Sequence, residues 1–184
     1  MKYASEDLIN EHEEILSGLE ILKKASEPVR TNKEAPLKDL IEIVQFLRLF
    51  VDKCHHGKEE ELLFPAMEKA GIPKENGPIG QMLLEHEQGR QYMEAIDKTI
   101  TEKGILQEAF IKNADEYIYL LRNHIEKENV ILFPMGDKLI PQERQAKLLE
   151  EFEAYEQQVM GLNTHQKLHD MLHKLKEKYL EEQE

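Results

Sequence analysis

The segments HHGKEEELLFP, beginning at His55, and HIEKENVILFP, beginning at His124, repeat one pattern: a histidine, a glutamate four residues on, then Leu-Phe-Pro. Each is preceded by an EHE triplet on the helical stretch before it, Glu11 to Glu13 and Glu85 to Glu87. The order His, then His-x-x-x-Glu, thus occurs twice, which is the mark of a duplicated two-helix unit and predicts a pseudo-two-fold arrangement with matching residues facing one another.

The surrounding pattern is helical. Apolar residues and these histidines recur at steps of three and four from about Ser5 to Ser26, through Leu8, His12, Ile15, Leu19 and Leu22, and the pattern stops at Glu27-Pro28. Residues 28–36 read as a polar linker. A second stripe from Leu37 carries Leu40, Val44, Leu47, Val51, His55, Glu59 and Leu62, until Pro65 interrupts the hydrogen-bond ladder and leaves a short continuation to about Lys69. After the turn-rich AGIPKENGP, a third stripe runs from Ile79 through Met82, His86, Gly89, Met93 and Ile96 to Ile100. A fourth runs from about Ile105 through Phe110, Ala114, Tyr117, Leu121, His124, Glu128 and Ile131 to Pro134. Four amphipathic helices joined by short links predict an all-α, antiparallel up-down four-helix bundle over residues 1–140. Two more helical patterns, about Pro141 to Met160 and Asn163 to Leu180, make residues 141–184 a C-terminal extension packed on or near the bundle, with a charged end expected to fray.

Charge and composition exclude other classes. The formal net charge is -13, from 24 Lys+Arg against 37 Asp+Glu, so a nucleic-acid backbone or an anionic membrane surface is repelled. No uninterrupted apolar run reaches the roughly 18 residues that a membrane span needs. The single cysteine, Cys54, and a start without basic and apolar signal regions fit a reducing, cytoplasmic setting. At its stripe position Cys54 reads as a small buried hydrophobe rather than a redox thiol.

His12, His55, Glu59, His86, His124 and Glu128 all fall on apolar stripes, where leucine would be the inexpensive choice. A buried unpaired carboxylate costs several kcal/mol and an unsatisfied imidazole about 1–3 kcal/mol, against a total stability of roughly 5–15 kcal/mol. No Lys or Arg shares these stripe positions, although Arg90 lies one turn beyond His86. Metal cations satisfy both donor types at once. Residues four apart present one nitrogen and one oxygen in the same direction. Two histidines per ion with two shared glutamates make a dinuclear centre with at least one open position per metal, for solvent, oxide or ligand. Nitrogen and oxygen donors without thiolate favour iron, with manganese as the alternative, over structural zinc. His56 and Glu60 repeat the same spacing one residue later; the Leu-Phe-Pro alignment selects His55 and Glu59 and leaves His56 as a neighbour or surface residue.

The doubled His-x-x-x-Glu with Leu-Phe-Pro endings resembles the hemerythrin-like, HHE cation-binding family over about residues 5 to 140. That resemblance implies a bundle around a non-haem di-iron centre, with His12 and His55 on one iron, His86 and His124 on the other, and Glu59 and Glu128 bridging. Two departures separate the chain from oxygen-carrying hemerythrins. Arg90 stands where the carriers have a further histidine, and Glu128 follows its histidine by four residues where they usually have aspartate after five. The symmetric set looks more like di-iron proteins linked to iron-sulfur cluster repair and nitric oxide stress, and like hemerythrin-like peroxide-decomposing proteins. The implied function is reaction with O2, NO or peroxide in oxidative or nitrosative stress, with redox turnover at the iron pair. The alternatives are non-catalytic sensing or storage of O2, NO or iron, and a metal used only as a staple. The electron donor and the oligomeric state are left open.

Around these six, Glu11 and Glu85 are candidate hydrogen-bond partners of the centre or extra ligands, Arg90 a candidate partner of an anion or carboxylate, and Tyr117 a candidate hydrogen-bonding or electron-relay residue that also fits the core. Gly89 fits either a channel to the metals or close helix packing. His165, His169 and His173, at four-residue steps on the last helix, are a candidate secondary metal site or a solvated face.

Overall fold

In the computed structural model, residues 3–101, 104–161 and 163–181 are described, and they are almost entirely helical. Helix α1 spans Ala4–Arg30. Helix α2 is one rod assembled from Leu37–Phe46, Leu47–His56, Glu59–Leu63 and Phe64–Lys69. Helix α3 spans Pro78–Thr99, and α4 runs from Gln107–Lys127 through Glu128–Leu132 into Phe133–Leu139. Helix α5 is Gln142–Met160; α6 is Thr164–Lys176 with a last turn at Glu177–Glu181. Between α3 and α4 a two-residue antiparallel ladder pairs Ile100 with Ile105 and Thr101 with Gly104, a detail without a sequence signal.

Two apolar clusters fix the topology. One gathers Ile15 to Val29 of α1, Leu40 to Cys54 of α2, Met93 and Ile96 of α3, and Phe110 to Ile125 of α4. The other gathers Leu8, Leu63, Phe64, Met67, Ile79, Met82, Leu132 and Phe133. Chain direction between them alternates from α1 to α4, so the bundle runs up, down, up, down as its stripes predict. The intervening layer is where the six polar stripe residues lie.

The prolines act differently from expectation. Pro28 lies inside α1, which continues to Arg30 instead of stopping at Glu27-Pro28. Pro65 and Pro134 do not end their rods either. Each follows a stretch of wider, π-helical winding, Glu59–Leu63 and Glu128–Leu132, and enters at the first turn of the next α-helical segment. A widened turn shifts the hydrogen-bond partners by one residue, so the donor missing at proline leaves the rod unbroken.

The extension covers one flank of the bundle. Helix α5 packs on α1 and on the π-wound part of α2, and α6 packs on α1 and the start of α2. Gln145 Oε1 accepts from the Ala4 backbone N–H at 2.9 Å, and Tyr179 donates its hydroxyl to Asp39 at 2.5 Å. Tyr155 lies so close to Gly57 that any side chain there would collide with its phenol. Phe152 is buried among bundle residues. Phe152→Ala is therefore expected to destabilise the whole protein by about 3–5 kcal/mol, read as an earlier single urea transition; a loss under about 1 kcal/mol would show that α5 is only loosely held.

Candidate metal centre

The helices carry His12 from α1, His55 and Glu59 from α2, His86 from α3, and His124 and Glu128 from α4 into one layer, each side chain at most 1% exposed. Within it, His12 Nε2 and His55 Nε2 are 3.0 Å apart, and His86 Nε2 and His124 Nε2 are 3.1 Å apart. The glutamates connect the two pairs. Glu59 Oε1 faces His55 Nε2 at 3.6 Å and its Oε2 faces His86 Nε2 at 3.3 Å. Glu128 Oε2 faces His12 Nε2 and its Oε1 faces His124 Nε2, both at 3.3 Å.

The outer nitrogens fix the tautomers. His55 Nδ1 lies 2.8 Å from Glu11 Oε2, His124 Nδ1 3.0 Å from Glu85 Oε2, His86 Nδ1 2.7 Å from Glu60 Oε1, and His12 Nδ1 2.8 Å from Asn129 Oδ1. Carboxylate and amide oxygens accept hydrogen bonds, so each neutral ring keeps its proton on Nδ1 and turns a lone pair inward from Nε2. Two facing lone pairs at this separation repel unless a cation lies against both. All four carboxylate oxygens of Glu59 and Glu128 are buried and without a hydrogen-bond partner. The donor set therefore fits two cations, each meeting one imidazole pair and one oxygen from each glutamate.

The partners repeat as the ligands do. Glu11 and Glu85, whose sequence neighbours are His12 and His86, reach the histidines of the adjacent helix, so they are hydrogen-bond acceptors rather than extra ligands. Each also receives a lysine three residues after that histidine, Lys58 or Lys127. Gln81 adds a 2.8 Å bond to Glu85. The phenylalanines of the two Leu-Phe-Pro segments stack on the remaining imidazoles, Phe133 on His12 at 5.6 Å and Phe64 on His86 at 5.8 Å. Lys58, Glu60, Lys127 and Asn129 were missed by the sequence reading. Their signal was present in the aligned H-x-x-K-E-[E/N] strings, but a helical wheel sends them off the apolar stripe.

His56 breaks the symmetry. It is buried, its ring lies parallel to that of His86 at 3.8 Å, and it groups with Glu59, His86 and His124, donor atoms all within 4.8 Å of one another. The other such group is His12, His55, Glu59 and Glu128. The counterpart of His56 in the second repeat is Ile125.

Other candidates fall nearby or elsewhere. Arg90 donates to Glu60 at 3.0 Å, one step behind His86, rather than pointing into the centre. Tyr117 is buried in the apolar cluster with Leu121. A methyl group at Gly89 would meet Tyr117 and Leu121 at 3.7 and 3.8 Å, ordinary contact, so close packing does not demand this glycine. Cys54 is buried, and desolvation pushes its thiol up to about 12, which suits a small hydrophobe. His165 and His169 face each other across one turn of α6, whereas His173 points away and is 73% exposed.

Burial and the charge of Glu128 raise the Glu59 carboxyl to about 7. For Glu128 burial works in the same sense, but the adjoining His124 and His12 outweigh it and hold the carboxyl well below its usual range. His124 is disfavoured as a cation by burial, yet Glu128 and Glu85 raise it to about 10. His56, desolvated and beside His86, falls to about 4. Glu85 drops to about 2, since hydrogen bonds from His124, Lys127 and Gln81 outweigh its desolvation.

The hemerythrin HHE cation-binding domain family matches residues 4–136. The chain belongs to this family. An uncharacterized protein of Mycobacterium tuberculosis is 24% identical to this hemerythrin-like chain over 135 residues, 71% of the chain and 52% of the relative. The iron-sulfur cluster repair protein YtfE of Escherichia coli is 30% identical over 129 residues, 67% of the chain and 58% of the relative. The chain thus spans about half the length of the curated relatives it matches. No solved structure matches it. Among the described residues of the hemerythrin-like chain, no helix is long and apolar enough to cross a membrane.

Protons held on Glu59 and His124 compete with a cation for the same atoms. Metal affinity of the chelated protein is expected to fall as pH is lowered from about 7 to about 5, by about tenfold per pH unit for each proton displaced, as isothermal titration at several pH values would show. Gly89→Ala should leave metal uptake unchanged and stabilise α3 by up to about 1 kcal/mol, measured by thermal unfolding.

Proposed function

We propose that this chain holds two iron ions in the layer between its apolar clusters, manganese being the alternative metal, and that it reacts with a small ligand, O2, NO or peroxide, in oxidative or nitrosative stress. The reading rests on one observation above all: four buried carboxylate oxygens without hydrogen bonds, each facing an imidazole lone pair from a different side of the bundle. Membership of a cation-binding family supports the metal, and the name of YtfE supports the link to iron chemistry under stress. A cytoplasmic setting is consistent with a single buried cysteine. Residues 1–140 would form the metal-holding unit and 141–184 its extension.

In this reading His12 and His55 serve one ion, His86 and His124 the other, and Glu59 and Glu128 span both. When bound, an iron pair supplies Fe(II)/Fe(III) electron exchange and open positions for a small ligand. The protein's share is orientation and charge. Glu11, Glu60, Glu85 and Asn129 lock the ring directions, which raises the basicity of the inward nitrogens. Lys58 and Lys127 neutralise Glu11 and Glu85, and Arg90 pairs with Glu60, so the carboxylates left without a Lys or Arg partner are Glu59 and Glu128. Phe64 and Phe133 cover the rings and keep bulk water out. His56 gives the second pair a third imidazole, which leaves the His12 and His55 side as the place for an incoming small ligand.

Metal analysis of the purified protein should find about two ions per chain, and His55→Ala or His124→Ala should lose at least one. Retention of both in either variant would overturn the ligand set. Protein loaded anaerobically with iron and exposed separately to O2, NO and H2O2 should change its visible absorption with at least one of them. Repeated consumption of the oxidant would make the chain an enzyme, a single stoichiometric change a sensor or store, and no change with any of the three would overturn the redox reading.

A further inference from the structure

The geometry points to the outer flank of α3 and α4 as a docking surface for a basic, amphipathic helix of a partner protein. The two halves of the bundle are covered differently. On the flank of α1 and α2, the C-terminal helices form a roof: His165 and His169 pack on Phe50, Tyr155 abuts Gly57, and Lys58 has no exposed surface. Counted from the aligned histidines His55 and His124, the matching positions on α4 are Tyr119, Glu126 and Lys127. These lie open to solvent: Tyr119 is 71% exposed and Lys127 38%.

The open flank carries large apolar side chains. Leu84 of α3 and Val130 of α4 are 68% and 67% exposed. On α4, Glu116, Tyr119, Asn123, Lys127 and Val130 follow one another at steps of three and four and so form one strip. Gln88 and Tyr92 of α3 lie across from it and complete a cleft of about 280 Å³. Exposed apolar groups gathered within a polar rim mark an interaction site, and a groove between two helices accepts a third with its apolar side inward. Helix α5 already lies in this way across α1 and α2. Charge selects the occupant. Lys127 is taken up by Glu85, while Glu116 and Glu126, both exposed, have no lysine or arginine partner among the described residues. The strip therefore keeps a negative excess in a chain of net charge -13. A second copy of the chain would bring the same excess to the same place, and like charges oppose such a contact. Lysines flanking an apolar stripe would instead pair with Glu116 and Glu126 while its leucines cover Leu84, Tyr119 and Val130. Glu85 lines the cleft and lies 3.0 Å from His124 Nδ1, so a helix docked there would rest against the hydrogen-bond partner of a centre histidine.

The test titrates iron-loaded full-length protein with a fluorescein-labelled leucine-lysine amphipathic peptide of about 18 residues, roughly 27 Å long when helical, and follows anisotropy. Hydrogen exchange then locates the bound peptide. Wild type should bind one peptide per chain, more weakly as salt is raised from about 0.05 to about 0.3 M, and exchange should slow across residues 81–92 and 116–131. Tyr119→Ser/Val130→Ser should weaken binding by about tenfold or more, and Glu116→Gln/Glu126→Gln by about threefold with a shallower salt dependence. Ile41→Ser, which removes an exposed apolar side chain from α2, should bind as wild type does. The iron content of every variant should match wild type, because none of these side chains is among the six centre residues. Equal binding by wild type and Tyr119→Ser/Val130→Ser, or slowing confined to other helices, would overturn the proposal. So would a dimer seen in sedimentation that Tyr119→Ser/Val130→Ser dissolves, since the flank would then belong to a second copy of the chain.

Discussion

Two carboxylates placed at the middle of a helical bundle without a single hydrogen-bond donor are the constraint around which this molecule is arranged. A leucine at either position would carry no electrostatic cost, yet two apolar clusters are held apart by a layer of buried histidines and these carboxylates. The separation makes the layer rigid. Apolar packing above and below fixes the helices, and the phenylalanines stacked on His12 and His86 leave those rings little freedom to turn away. The site is preorganised by the same contacts that stabilise the fold.

The repeat explains how so many polar groups can be satisfied with a short vocabulary. One helix gives a histidine and the glutamate before it, the next a histidine, a lysine, a glutamate and one further polar residue. Crossing the two copies supplies each imidazole with a partner from a neighbouring helix. Glu11 and Glu85 serve His55 and His124, while Glu60 and Asn129 serve His86 and His12. The exceptions are as informative. His56 has Ile125 as its counterpart, and Glu60 has Asn129, so the second pair carries an extra imidazole and an extra negative charge with Arg90 beside it.

Much of this was legible in the amino-acid sequence. The four stripes gave the bundle and its alternating direction, and the polar residues on those stripes are the ones that meet in the middle layer. What a stripe cannot convey is sideways reach. Glu11 lies a third of a turn from His12 and so addresses the next helix, which a single-helix wheel treats as facing away. Proline was read too literally, because π-helical winding before Pro65 and Pro134 lets the rods pass, and Pro28 sits within α1. The buried place of His56 follows from tertiary packing against His86, for which two adjacent histidines give no cue. On α6, even spacing suggested three equivalent histidines, yet packing against Phe50 reaches only His165 and His169.

The buried lysine on the α5 side draws out a difference between the halves. Lys58 has no exposed surface and lies 5.6 Å from the Phe152 ring, whereas its twin Lys127 is 38% exposed. The imidazoles of the two halves are equally buried, and the difference lies in their outer lysines, one covered by the hairpin and the other reached by solvent. The two equivalent ion pairs are thus screened unequally, because α5 denies Lys58 the water that reaches Lys127.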